Sequence, residues 1–129
     1  MLVVLRFAVA SHEGGSFFAR AQEALAVLSE CPGYRAGRIG RATDDTSAWV
    51  LTTEWDDVGS FRRALGAFDV KMVAVPLLSL ALDEPTAYEV LYADGLAADD
   101  LAAPSARAAD ADVVGLGAAA APKVFTDLG

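Results

Sequence analysis

Residues 47–68 read SAWVLTTEWDDVGSFRRALGAF. From Ala48 to Trp55 the side chains alternate between two sides of an extended chain. Trp49, Leu51, Thr53 and Trp55 share one side, and Ala48, Val50, Thr52 and Glu54 the other. The period then changes from two to about 3.6. Asp56 or Asp57 caps a helix that turns Phe61, Leu65 and Phe68 inward. The stretch is therefore a strand running directly into a helix. Its two tryptophans, six residues apart, fall on one face. Trp55, at the strand end, reads as the anchor that fastens the helix to the sheet. If that face meets the helices, Trp49 lines the cleft between helices and sheet, where such folds keep their pockets.

The same reading extends outward. LVVLRFAV at 2–9 is a β-branched and aromatic strand. ASHEGG is a loop, and Ser16 is the expected N-cap of a helix with Phe18, Ala21, Leu25 and Leu28 on its inner face. CPGY ends that helix. YRAGRIGRA at 34–42 is a second strand, joined by the turn TDDT to the strand described above, as a hairpin. Asp69 can cap a further helical segment, VKMVAVPLLSLAL, which Pro76 must kink or restart because its ring displaces the bond to Met72. PTAYEVLY reads as the last strand. The order β-α-β-β-α-β predicts an α+β fold, the ferredoxin-like split βαβ with an antiparallel sheet. Its helices cover one face, yet the first strand is apolar on both. Leu2, Val4 and Ala8 point one way, and Val3, Leu5, Phe7 and Val9 the other. A second copy is the simplest cover for the remaining face, so a homodimer packed sheet against sheet is expected.

Composition narrows the partners. The 129 residues carry a net charge of −8, which repels phosphate backbones and anionic membrane surfaces. Neither nucleic acid nor membrane is an expected partner; a small apolar or aromatic ligand is. No run of about 18 uncharged apolar residues suggests a membrane span, and Arg6 interrupts the apolar start, which argues against a signal peptide. The single cysteine, Cys31, allows no internal disulfide or thiolate cluster. A cytoplasmic protein without metal is expected. Residues 1–92 hold the aromatic-rich, alternating part. Residues 93–129 contain 13 Ala and six Asp among 37 residues, too little apolar surface for a core, and read as a loosely ordered extension.

Glu54, Trp55 and Asp56, followed by Ser60 and Phe61, together with PGYRAGRIGR, resemble the antibiotic biosynthesis monooxygenase group of dimeric α+β barrels. The resemblance spans roughly residues 1–92. It implies a dimer and, for an enzyme, oxygenation of a phenolic or polyketide-like aromatic substrate with no cofactor. Haem-degrading members of the group use a helix His and a strand Asn. This chain has no Asn, and its one His, His12, lies in the first loop, so haem breakdown is not expected.

The candidate residues each carry two readings. Arg6 is a charge in an apolar strand and needs a carboxylate; Glu54 and Glu89 sit at strand positions able to supply one. Alternatively it holds an anionic substrate. Asp69 is a helix cap or, in an apolar pocket that raises its pKa, a general base. Trp49, Tyr34, Phe61, Phe68 and Met72 would shape the substrate pocket. Lys71 and Arg62 read as solvated helix residues. No phosphate loop, dinucleotide fingerprint or Ser-His-Asp arrangement is present. A non-catalytic ligand-binding or dimeric accessory protein of the same fold is the competing expectation.

Overall fold

A computed structural model describes residues 1–95. The expected extension from residue 96 onward lies outside the described residues. The elements are β1 (Leu2–Ala8), a 3₁₀ turn (Ser11–Glu13), α1 (Gly14–Ser29), β2 (Tyr34–Arg41), β3 (Ala48–Trp55), α2 (Val58–Leu65), a π-helical turn (Val70–Ala74), α3 (Val75–Leu78) and β4 (Ala87–Tyr88). The antiparallel sheet has the order β2-β3-β1-β4. This is the expected split βαβ arrangement.

The alternation read from the sequence sets which face is covered. Val3, Leu5, Phe7 and Val9 are buried together with Trp49, Leu51, Thr53 and Trp55, and the helices lie over this face. Register brings Val3 opposite Thr53, Leu5 opposite Leu51 and Phe7 opposite Trp49. The other face carries Leu2, Val4, Val50 and Thr52, all half-buried, with Arg6, Arg38 and Glu54 among them. α1 buries Phe17, Ala21, Ala24 and Leu28, so Ala21 and Leu28 face inward as predicted, Leu25 is half-buried against the core, and Phe17 takes the place expected of Phe18. The two alanines let the helix backbone approach the core. Phe18 turns out, 44% exposed, beside Trp49. Ser16 is not the N-cap. The 3₁₀ turn runs straight into α1 at Gly14, and no side chain caps the helix.

Trp55 ties the sheet to α2, as expected. It is fully buried, its Nε1 donates to Thr53 Oγ1 at 2.8 Å, and its ring lies 5.3 Å from Tyr34 and 5.6 Å from Phe61. Asp57 then caps α2, accepting from the Ser60 amide at 2.7 Å and the Ser60 hydroxyl at 2.9 Å. Gly33 sits under this junction with φ +91°, where a Cβ would collide with Ser60 Oγ. Its carbonyl accepts from Asp56 N at 2.8 Å.

Two predicted details change in the second half, and the structure decides between two outcomes at Pro76. α2 ends at Leu65, just before Gly66, so Phe68 points to solvent and is 75% exposed. Of the two outcomes expected at Pro76, a kink or a restart, the structure has the restart. The chain widens before it into a π turn, in which Val75 N–H reaches Val70 O, and α3 restarts with the proline in its first turn. The last strand shrinks from eight residues to two, Ala87 and Tyr88. The segment before it still follows β1 through Leu82 N–Arg6 O at 2.8 Å and Val4 N–Thr86 O at 2.7 Å.

Two substitutions test this framework. Gly33→Ala combines a left-handed backbone with the Ser60 clash and is expected to cost about 2–4 kcal/mol, read by denaturant unfolding. Thr53→Val keeps the shape but leaves the Trp55 N–H buried and unpaired, and should cost about 1–3 kcal/mol by the same measurement.

Candidate functional site

The covered face does not close everywhere. Between it and the second helical region lies an open cavity of about 610 Å³. β1 supplies Leu5 as its floor, and Thr86 forms the rim at the β4 edge. α2 contributes Phe61 and Leu65, one turn apart on one side of the helix. The π turn contributes Lys71, and α3 adds Val75, Leu78 and Ser79. The walls are almost wholly apolar. The Ser79 hydroxyl is engaged, donating to Pro76 O at 2.9 Å. Among the described residues, Lys71 is the one charged side chain of the lining, which includes no carboxylate and no imidazole.

The volume falls inside the range of about 300–1,000 Å³ typical of small-molecule sites. Two other depressions suit a ligand less well. One, about 320 Å³ and more open, lies against Phe18, Ile39, Gly40, Arg41 and Trp49. The other, between β1 and the start of α1, measures about 130 Å³, below that range.

Of the site residues expected from sequence, Arg6, Tyr34, Trp49, Phe61, Phe68, Asp69 and Met72, only Phe61 lines the large cavity. Its ring also stacks on Trp55, so the tryptophan supports the cavity wall from behind. Tyr34 lies on the far side of Trp55, edge-on to it at 88°, and folds back over Gly37. Burial pushes the Tyr34 phenol up, against the opposing pull of Arg38. Trp49 is buried between Phe17 and Phe18, with ring centroids 5.2 and 6.3 Å away, and the Arg41 guanidinium lies 5.4 Å from its ring. Its Nε1 has no hydrogen-bond partner among the described residues. Trp49 thus belongs to the sheet end near β2, away from the cavity.

Met72 and Phe68 do not line this cavity. Met72 is 63% exposed, and both point outward from the segment whose other side faces the core through Val70 and Ala74. Asp69 is exposed and makes no capping bond. It lies instead near the end of α1, where burial first, then Glu30 and Asp69, push the Cys31 thiol up. It therefore lacks the apolar surroundings that would make it a base. Arg6 sits on the face away from the helices. Its partner is Glu84 rather than Glu54 or Glu89: Arg6 Nε donates to Glu84 Oε2 at 2.7 Å and Nη2 donates to Oε1. The Glu84 bond, opposed by burial, raises the Arg6 pKa. The fork fastens the loop before β4 to the centre of β1.

Sequence reasoning missed Leu5, Val75, Leu78 and Lys71 as cavity residues. Leu5 shares its face with the core, and nothing local marks it. Lys71, Val75 and Leu78 recur at steps of four and three, which does place them on one side of the segment.

The family model for antibiotic biosynthesis monooxygenases matches residues 1–71. The chain belongs to this family. Among solved structures, it is 30% identical to SnoaB, a cofactor-independent oxygenase from Streptomyces nogalater. That match covers 71% of this chain and 96% of that one, with a TM-score of 0.51. A variant of the same oxygenase matches at 28% identity and TM-score 0.54, covering 71% and 93%. A conserved protein from Methanosarcina mazei shares the fold at 21% identity and TM-score 0.55, over 67% of this chain and 84% of that one. No curated protein matches the chain in sequence. Among the described residues no helix is long and apolar enough to cross a membrane.

Replacing Glu84 by Gln removes the charged partner of Arg6 and is expected to lower stability by about 1–3 kcal/mol, measured by denaturant unfolding. Because the pair faces away from the cavity, ligand uptake there should be unchanged in the folded variant.

Proposed function

We infer that this chain is a cofactor-independent oxygenase acting on a phenolic or polyketide-like aromatic molecule held between sheet and helices. The observation that carries the reading is the 610 Å³ apolar cavity built on Leu5, Phe61, Leu65, Val75 and Leu78. Similarity to SnoaB, described as a cofactor-independent oxygenase, supports it. Such a cavity would exclude water from a flat ring system and hold it in one orientation. Dioxygen is the co-reactant. In an anthrone-like substrate, the methylene between two aromatic rings loses two hydrogens and gains one oxygen as a carbonyl. The second oxygen leaves as water. The phenolate form of the substrate is the electron-rich species that donates to oxygen.

The lining residues contain no acid–base pair. On this reading, solvent removes the phenolic proton at the open side of the cavity, because apolar walls by themselves disfavour the phenolate. Asp69 and Arg6 have no direct part, since one lies near the end of α1 and the other on the opposite face. The same lack of a base favours a second reading, a binding protein that takes up the aromatic molecule without turning it over. In either case the half-open face carrying Leu2, Val4 and Val50 is where a second copy would pack, consistent with a homodimer.

Oxygen consumption with an anthrone, measured with no added metal, flavin or haem, separates the two readings. An oxygenase consumes one O₂ per anthrone and releases the quinone. It does so faster as pH rises through the substrate's phenol pKa, and Asp69→Ala leaves the rate unchanged. Saturable anthrone binding without oxygen uptake identifies the binding protein. Light scattering should give twice the chain mass; a monomer refutes the dimer.

A further inference from the structure

The cavity has one feature that neither its size nor its family accounts for. Its walls are hydrocarbon, yet a cation stands among them. Lys71 projects from the π turn on the same side as Val75 and Leu78, while Met72, the next residue, faces solvent. Among the described residues no carboxylate lies within ion-pair distance of Lys71. The Lys71 chain is exposed, so its ammonium keeps its water and its stem covers apolar surface. An unpaired ammonium beside a cavity that offers no other charge sets a polarity. Apolar surface is favoured inside, and negative charge is favoured where the lysine sits.

We propose that Lys71 is a specificity-determining residue that selects organic anions, an aromatic body inside the cavity with an ionised phenol or carboxylate against the ammonium. This rests on the reading of the cavity as the ligand site. A cation close to a phenolic oxygen favours its ionised form. Lys71 would thus do by electrostatics what the absent base does not do by proton transfer. The π turn fits this role. It is the widening that precedes Pro76, and wide turns of this kind often occur at functional positions.

Two fluorescent probes with the same ring frame test the proposal. 8-Anilino-1-naphthalenesulfonate is an anion, and N-phenyl-1-naphthylamine is its neutral counterpart. Each is titrated into wild-type protein at low salt, and into Lys71→Met, Lys71→Glu and Lys71→Arg. Leu65→Trp and Leu78→Trp, which fill the cavity from two helices, report where the probes bind. Circular dichroism confirms that each variant is folded. Lys71→Met should weaken the anionic probe about fivefold, the effect of losing one partly solvated ion pair. Lys71→Glu should weaken it further, Lys71→Arg should preserve binding, and the neutral probe should change less than twofold throughout. Added salt should narrow the gap between the two probes in the wild type. If both probes are blocked by the tryptophan variants but the anion ignores Lys71, the selectivity proposal fails and the cavity reading stands. The proposal also fails if Lys71→Met weakens both probes equally. If neither probe binds, or folded tryptophan variants do not block them, the cavity reading fails and takes the proposal with it.

Discussion

Burial of Trp55 is the constraint on which the rest of the structure depends. The ring sits where β3 ends and α2 is about to begin, so whatever holds it also fixes the angle between sheet and helix. Thr53 satisfies its N–H from two residues back on the same strand, Tyr34 closes one edge and Phe61 another. A buried ring of this size contributes several kcal/mol, and its aromatic neighbours about 0.5–1.5 kcal/mol each beyond their burial. The Asp57 cap is worth about 1 kcal/mol and starts α2 at the position the tryptophan has set. Gly33 fits beneath this junction because it has no side chain. Phe61 has two roles in consequence: one side packs on Trp55, and the ring also forms a wall of the cavity.

The cavity exists because the sheet is unevenly finished. β2, β3 and β1 pair over most of their length, but β4 keeps only two residues. The segment before it is held instead by isolated backbone bonds to β1 and by the Arg6–Glu84 fork on the opposite face. Over this weakly covered edge the second helical region is itself discontinuous, first a π turn and then four residues of α-helix. Short pieces cannot seal a sheet as α1 does with its sixteen-residue length. Open apolar volume remains between them. A position buried on one face of β1 therefore makes cavity at Leu5 and packed core at Val3 and Phe7.

The chemistry follows from what the lining contains. A wall of Leu, Val and Phe binds by area and shape and cannot move a proton. One lysine adds a positive charge at the edge of that wall. An oxygenase built on such a site depends on the reactivity of its substrate, which must itself become the reductant of oxygen.

Much of the framework was legible in the sequence because it rests on local periodicity. Alternation at 2–9 and 47–55 determined which residues of those strands share a face. The change of period after Trp55 marked the strand-to-helix junction, whereas the lack of room for a side chain at Gly33 and Gly37 came only from the structure. Site geometry was less legible, because a cavity is made by elements far apart in the chain. Nothing near Arg6 pointed to Glu84, 78 residues away, and Glu54 and Glu89 were expected instead because they fall in predicted strands. Phe68 and Met72 have the composition of pocket residues, but the end of α2 at Gly66 and the π turn rotate them into solvent. Sequence by itself determined the order of elements, the two faces of the sheet and the Trp55 anchor. Only the tertiary structure decided which apolar residues close on one another and which leave a space. Periodicity specifies direction from the backbone, whereas a cavity depends on the distance between surfaces that no single element contains.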